Sequence, residues 1–456
     1  MPRFPIMRLS ELCRMEISFI RLTNFFAMHC DTMRRNPLKN KKKMRISFQP
    51  VDNPDKVNTH LLSWLLAACS MIGPFATDMY LPSFHQMAQA FGSDLASVQM
   101  TLSSYLAGFA VMTLFYGTIS DMFGRKLTMV TGFLCFSASS LGAATSDSLS
   151  MLVLWRLCQG IFAGCGMVIG MAIIRDLFGG PKAQMLMAYV SMVFGFGPAL
   201  APVIGGVVAT HLSWESHFYI LTLISAVLAA LCLIFLPETL PQEKRMTPRL
   251  GTLLSNYAAA ARHSAFMTAN TSLAVAFLGQ GVFIAGAADW CVEVMHLAPD
   301  EFWKLFLPMV SGTVIGSWIS ARIASRLSTQ GTIRVGFSVM FVAGAFALCA
   351  MAELLPQGIA WAVMPLMIYT IGIGIVRPGM ALISMDFLPN AKGMAASMQS
   401  FVQTIFFALC SALLVPLLYG KGALYDLSIA GFGLLTIFLW LLAMHLRLEN
   451  SAQQKR

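Results

Sequence analysis

Residues 217–236, HFYILTLISAVLAALCLIFL, form an uninterrupted apolar run without a single Asp, Glu, Lys or Arg. At 1.5 Å per helical residue, about twenty residues cross the roughly 30 Å of hydrocarbon in a bilayer. Lipid offers the backbone no hydrogen-bond partner, so a run of this kind must be helical. This stretch therefore predicts a transmembrane helix.

Runs of similar length and composition recur along nearly the whole chain from His60 onward. We predict twelve spans, at 60–82, 98–119, 127–146, 150–173, 184–209, 217–236, 266–288, 304–324, 333–353, 359–384, 393–418 and 426–446. The sequence therefore predicts an all-α membrane protein with twelve transmembrane helices.

The composition agrees with a bilayer as the solvent. Of the 456 residues, 57% are hydrophobic and only 11% are charged, and the mean hydropathy is +0.69. The net charge is +10, and most of the basic residues lie in the N-terminal segment and in short segments between apolar runs, where they set membrane orientation rather than bind nucleic acid. The ten cysteines form no CxxC or Cys/His cluster, so we expect no metal site and no cofactor.

The basic residues predict how the chain is oriented and divided. They concentrate at the chain ends and in the connections after even-numbered spans, which by the positive-inside rule places both termini in the cytoplasm. The long connection that begins PETLPQEKR separates two halves of six spans. We predict a cytoplasmic segment 1–59, a six-helix bundle 60–236, a linker 237–265, a second bundle 266–446 and a tail 447–456. Residues 1–59 have no apolar run that fits a span or a signal peptide, and we expect translation to begin near Met44.

The segment GTISDMFGRK, residues 117–126, connects spans 2 and 3. It resembles the signature of the major facilitator superfamily at this place, G-x-x-x-D-x-x-G-R followed by Lys or Arg, with matches at Gly117, Asp121, Gly124, Arg125 and Lys126. Gly124 permits a tight turn, and Asp121 can pair with Arg125. The resemblance implies that the cluster locks the outward-facing state from the cytoplasmic side. The alternative is a basic loop that sets topology and happens to contain an aspartate.

Span 4 contains LWRLCQGIFAG, which places Arg156 in an otherwise apolar helix with Gln159 one turn later. A charge at the bilayer centre costs at least about 2.5 kcal/mol, so it normally has a partner or a water-filled cavity. The family carries a similar R-x-x-Q-G element in this helix, and the resemblance implies a role in proton coupling. The alternative is an arginine near the helix end that extends outward to the membrane surface.

Span 5 contains GFGPALAPVIGG, which resembles the family's antiporter motif G-x-x-x-G-P-x-x-G-G except at its second proline and its final glycines. Small residues let another helix approach closely, and prolines bend a span. The resemblance implies an exporter, and ordinary close packing is the alternative. The residues concerned are Gly195, Gly197, Pro198, Pro202, Gly205 and Gly206.

Span 1 ends in FATDMYLPSF, which looks like the T-D-M-Y-L-P element of the bicyclomycin and chloramphenicol resistance branch, the twelve-span drug:proton antiporters. It places Asp78 within or at the edge of the membrane. A carboxyl that faces Arg156 can gain and lose a proton with small changes in its surroundings, which makes Asp78 the best candidate proton carrier. The alternative is an aspartate that caps a helix end.

Three further residues are candidates for the central cavity: Tyr105, Asp289 and Arg377. Asp289 is alternatively a loop residue, and Arg377 an anchor at the cytoplasmic end of span 10. Aromatic and methionine side chains can line an apolar pocket but more often pack between helices. This applies to Tyr105, Tyr189, Phe283 and Met309.

The residues and the resemblance together predict two pseudo-symmetric six-helix bundles around a cavity that opens alternately to either side. We expect a monomeric, proton-driven exporter of small antibiotic-like or amphiphilic compounds in the bacterial inner membrane, with no catalytic residue and no cofactor. A transporter of a sugar or other metabolite with the same fold is the nearer alternative. A membrane enzyme is the more distant one, because the chain has no HExxH, no GxSxG and no phosphate-binding glycine loop.

Overall fold

A computed structural model describes residues 59–245, 250–356 and 358–453, so the predictions for the N-terminal segment and Met44 lie outside the described residues. Within these described ranges, twelve helices are long and apolar enough to cross a membrane. They are numbered here as spans 1 to 12: Thr59–Ala90, Leu95–Thr113, Arg125–Ala144, Leu149–Leu177, Gly180–His211, Glu215–Phe235, Ser264–Ala285, Pro299–Ile323, Thr329–Met351, Ile359–Met385, Lys392–Leu418 and Gly422–Leu448. The predicted all-α fold with twelve spans is confirmed.

Several spans are interrupted or longer than the apolar runs indicate. The α-helix of span 1 ends at Asp78 and resumes as Phe84–Ala90 after a 3₁₀ turn that begins before Pro82. Span 4 consists of Leu149–Ala163 and Cys165–Leu177, joined at Gly164. The last helix extends to Gln453, into the predicted tail.

The predicted linker contains a helix that its composition did not indicate. Leu250–Arg262 is an α-helix, and span 7 begins just after it, at Ser264. The hydroxyl of Tyr257 in this helix donates a hydrogen bond to the carbonyl oxygen of Leu114, at 2.9 Å, where span 2 ends. The linker is therefore attached to the first six spans.

The packing pattern of the first six spans recurs in the last six. Span 2 packs on span 4, span 3 on spans 4 and 6, and span 1 on spans 5 and 6. In the second half, span 8 packs on span 10, span 9 on spans 10 and 12, and span 7 on spans 11 and 12. Each contact in one half thus has its equivalent six spans later, which is the pseudo-symmetry of the two bundles. The halves meet where span 2 packs on span 11 and span 5 on span 8.

Consecutive spans run in opposite directions, so the connections after spans 1, 3, 5, 7, 9 and 11 share one end of the molecule, called here the odd end. The other is the even end. At the odd end, Ser411 of span 11 accepts hydrogen bonds from Gln99 and Ser103 of span 2, at 2.7 and 2.9 Å. Nearby, His85 and Glu293 form a bond between the halves at 3.0 Å. Polar contacts therefore join the two halves at the odd end.

Candidate functional site

Arg156 lies in the interior of the first bundle and has no exposed surface. Its guanidinium carbon is 4.4 Å from the centre of the Tyr80 ring and 4.3 Å from the centre of the Tyr105 ring. Faces of aromatic rings attract cations, and the attraction is stronger where water is excluded. The side chain therefore points into the bundle and not outward to the membrane surface.

Hydrogen bonds connect Arg156 to spans 1 and 3. Its Nη2 donates to the carbonyl oxygen of Ala76 in span 1, at 2.9 Å, and its Nη1 donates to Gln159 Oε1. Gln159 in turn donates from Nε2 to Ser140 Oγ in span 3, at 2.7 Å. The Arg-x-x-Gln pair thus ties three helices together. The Nε atom of Arg156 is buried and has no hydrogen-bond partner among the described residues.

Asp78 closes the α-helix of span 1 and is only 2% exposed. Its Oδ1 is buried without a hydrogen-bond partner in the described part of the chain, so it does not cap a helix there. The described ion pairs within 4.0 Å do not include Asp78 and Arg156. The two residues share one neighbourhood, because Arg156 binds the backbone two residues before Asp78. Each residue has one buried polar atom without a hydrogen-bond partner, and such atoms are rare and energetically costly.

The loop between spans 2 and 3 is built around Gly124. This residue ends the helix Tyr116–Phe123 with a φ of +97°, a conformation that favours glycine. The next residue, Arg125, pairs with Asp121 at 2.6 Å and with Asp176 at 3.0 Å, at the end of span 4. Lys126 is buried, whereas a Cβ on Gly117 would meet open space.

Glu238, which belongs to no motif visible in the sequence, holds this loop in place. Its side chain is fully buried, and Oε1 accepts hydrogen bonds from the backbone N–H groups of Arg125, Thr239 and Leu240, each at 3.0 Å. The other carboxylate oxygen is 3.7 Å from Arg245 and would clash with a Cβ on Gly124. The sequence motifs do not indicate Asp176 either. Both acids are outside the signature, and only the fold brings them to it.

The glycines of span 5 differ in what they face. A Cβ on Gly197 would be 2.5 Å from Pro74, and a Cβ on Gly205 would overlap the carbonyl oxygen of Met79. The close contact of span 5 with span 1 therefore requires glycine at both positions. A Cβ on Gly206 would be 2.9 Å from the Cα of Asp300, at the start of span 8. Gly195 faces open space. Pro198 and Pro202 lie inside the uninterrupted helix Gly180–His211.

Four candidate pocket residues lie in packed surroundings. The Tyr105 hydroxyl donates to the carbonyl oxygen of Gly73 at 3.0 Å, and the side chain is 1% exposed. Phe283 and Met309 have no exposed surface. Tyr189 is half-buried, with its ring at 5.7 Å from that of Trp64.

The two charged candidates in the second half differ in their surroundings. Asp289, just beyond span 7, is 2% exposed and accepts hydrogen bonds from the Gly420 N–H at 3.0 Å and the Tyr425 hydroxyl at 3.1 Å. Arg377 in span 10 is exposed, and the described residues give it neither an ion pair nor a hydrogen bond.

Comparisons with known proteins agree with the fold. The family model described as Major Facilitator Superfamily matches residues 66–413. The chain is 26% identical over 388 residues to the bicyclomycin resistance protein homolog of Haemophilus influenzae, covering 83% of this chain and 97% of that protein. It is 27% identical over 391 residues to multidrug resistance protein D of Escherichia coli, covering 84% and 95%.

Two solved structures share the fold at low identity. A D-xylose-proton symporter aligns with a TM-score of 0.67 at 12% identity, covering 84% of this chain and 97% of the other. A bacterial homolog of the human lysosomal transporter Spinster, in an inward-facing and occupied conformation, aligns with a TM-score of 0.68 at 13% identity, covering 85% and 97%. The family model matches most of the chain, and the chain therefore belongs to the major facilitator superfamily.

Proposed function

We propose that this chain, a multi-pass membrane transporter of the major facilitator superfamily and not an enzyme, exports small drug-like molecules in exchange for protons. The observation that carries the proposal is a pair of buried atoms without hydrogen-bond partners, Asp78 Oδ1 and Arg156 Nε, in one neighbourhood of the first bundle. A buried carboxylate and a buried guanidinium that are not paired are costly, and pairing them offsets much of that cost. Proton loss from Asp78 therefore favours a rearrangement that brings the two together.

The contacts around Arg156 supply a route from the proton to the helices. Arg156 is held between Tyr80 and Tyr105 and binds the backbone of Ala76, so a new bond to Asp78 pulls on the end of span 1. Span 1 is in direct backbone contact with Gly205 of span 5. At the odd end of the molecule, span 5 packs on span 8 of the second half. A change at Asp78 is thereby transmitted to the contact between the halves, as alternating access requires.

Orientation gives the exchange its direction. Following the positive-inside rule, we place the even end and both termini in the cytoplasm and the odd end in the periplasm of a bacterial inner membrane. The polar contacts at the odd end then correspond to a state closed to the periplasm. In the outward-facing state, the cluster around Arg125 holds the two halves together at the cytoplasmic side. The proton gradient drives the cycle without a cofactor, and one monomer carries the whole site.

The names of the relatives favour drugs over sugars as substrates. The bicyclomycin resistance homolog and multidrug resistance protein D are related over nearly their full lengths, whereas the xylose symporter shares only the fold. Growth of a transporter-deficient bacterium that expresses this chain, on a panel of antibiotics and dyes, tests the substrate class. We expect resistance to several unrelated compounds. Counterflow of a sugar without any such resistance would favour the metabolite transporter instead.

Proton coupling is tested with Asp78→Asn in proteoliposomes, with the compound that gives the largest resistance. A gradient of two pH units is worth about 2.7 kcal/mol per proton, enough for about a hundredfold substrate gradient with wild type. We expect the variant to lose this dependence. Asp426→Asn, which changes a half-buried aspartate of span 12, serves as the control and is expected to retain it. Full dependence on the pH gradient in Asp78→Asn would refute the assignment.

A further inference from the structure

Arg377 is a charge deep in a membrane-spanning helix without a counter-charge. It lies eight residues before the end of span 10 at Met385, which is about 12 Å inside the even end. The side chain is exposed, and no ion pair or hydrogen bond satisfies it within the described ranges. A cation at this depth normally faces a partner or a water-filled space.

Residues seven apart share one face of a helix, so Thr370, Arg377 and Ser384 lie along the same side of span 10. Thr370 packs against Gly312 of span 8, where a Cβ would overlap its Oγ1. Ser384 Oγ donates to Asn270 Oδ1 of span 7, at 2.9 Å. Arg377 therefore occupies the face of span 10 that lies between spans 7 and 8.

The other side of span 10 packs on span 9. A Cβ on Gly372 would be 2.5 Å from Met340, and a Cβ on Gly379 would be 3.1 Å from Ile333. Span 8 packs on span 5. Span 7 packs on span 11, which in turn packs on span 2, so both helices that flank this face belong to the contact region between the halves. The face of Arg377 thus opens toward the space between the two bundles.

Near the ends of spans 7 to 11, three acidic residues are already engaged, and Asp300 and Glu353 are exposed at the odd end, whereas Arg377 lies nearer the even end. Asp289 is bound by Gly420 and Tyr425, Asp386 pairs with Lys392 at 3.3 Å, and Glu301 pairs with Lys304. Asn270 of span 7 lies against the same face of span 10, and its amide nitrogen is buried and has no acceptor in the described part of the chain. Arg377 and Asn270 are therefore donors in need of an acceptor that the surrounding side chains do not supply.

We propose that Arg377 binds an acidic group, a carboxylate, of the transported compound. A guanidinium presents a planar fork of N–H donors that matches the two oxygens of a carboxylate. The inference rests on the proposed function and narrows it: the substrates include compounds with a free acid, and esters of the same compounds bind more weakly. Export of one such anion against one proton moves two charges per cycle.

The test compares rhodamine 110, which has a free carboxylic acid, with rhodamine 123, its methyl ester. Binding of each dye to the purified full-length chain in detergent is followed by fluorescence anisotropy. We expect wild type to bind the acid at least about tenfold more tightly than the ester. We expect Arg377→Gln to bind both dyes with the affinity that wild type has for the ester. Arg326→Gln, which removes an exposed arginine beyond span 8, is the control and is expected to keep the preference.

Two results overturn the proposal. One is a wild type that binds the acid no more tightly than the ester, including a wild type that binds neither dye, and this comparison needs no variant. The other is an Arg377→Gln protein that keeps the preference. Export of neutral compounds along a pH gradient separates this outcome from the proposed function. If wild type exports neutral compounds but does not prefer the acid, the proposed export function stands and only the role of Arg377 is refuted. If wild type exports no compound, the proposed export function itself is refuted.

Discussion

Replacement of Glu238 by glutamine removes one negative charge from the loop cluster without a change in shape. The carboxylate is fully buried and accepts three backbone hydrogen bonds at 3.0 Å, from Arg125, Thr239 and Leu240. The amide oxygen of glutamine can still accept those bonds, but without a charge. Its NH₂ group then points at the Arg245 guanidinium, where one donor meets another.

The expected loss of stability follows from these contacts. Hydrogen bonds to a charged group contribute about 1 kcal/mol more than neutral ones, which gives about 3 kcal/mol for three bonds. The pair with Arg245, at 3.7 Å and partly exposed, adds at most about 1 kcal/mol. Relief of carboxylate desolvation offsets part of this sum. We therefore expect Glu238→Gln to lower the free energy of unfolding by about 2 to 3 kcal/mol.

Reversible unfolding of the purified protein in mixed dodecyl maltoside and SDS micelles measures this difference. Glu243→Gln makes the same chemical change on an exposed side chain of the same segment, and we expect an effect within about 0.5 kcal/mol. Because Glu238 positions the backbone of Arg125, we also expect slower transport in the Glu238 variant. Equal stability of the two variants would refute the view that Glu238 anchors the loop.

Two further predictions concern the first bundle. Gly205→Ala places a methyl group on the Met79 carbonyl, and we expect a loss of about 1 to 3 kcal/mol in the same unfolding assay together with slower transport, whereas Gly195→Ala, which faces open space, should change neither. Arg156→Lys keeps the charge but loses the planar stack between its two tyrosines, and we expect a transport rate lower by about tenfold, equivalent to about 1.4 kcal/mol. A lysine variant with the wild-type rate in proteoliposomes would contradict the importance of the stack.

The fold was predictable because lipid imposes one length and one backbone conformation on each apolar run. That rule identified every span, but it says little about where a helix continues past the hydrocarbon. The helix Leu250–Arg262 and the extension to Gln453 were missed for this reason. The apolar run of span 1 predicts an end at residue 82, whereas helical structure continues to Ala90 after the α-helix breaks at Asp78.

The site was predictable only in part, since spacing along one helix is visible in a sequence and contacts between helices are not. The neighbours Arg156 and Gln159 are one turn apart, and they are indeed hydrogen-bonded. By contrast, Glu238 reaches Arg125 from a segment more than a hundred residues away in the chain. Tyr80 and Tyr105 enclose Arg156 from two other spans, and nothing in their local sequence indicates this contact.

Proton movement coupled to substrate tests the role of Asp78 most directly. Proteoliposomes that contain a pH-sensitive dye are given substrate on one side, and the protons moved per substrate molecule are counted. We expect a fixed ratio for wild type. For Asp78→Asn we expect substrate exchange to continue while no protons move with it. A variant that moves protons with its substrate at the wild-type ratio would contradict the account.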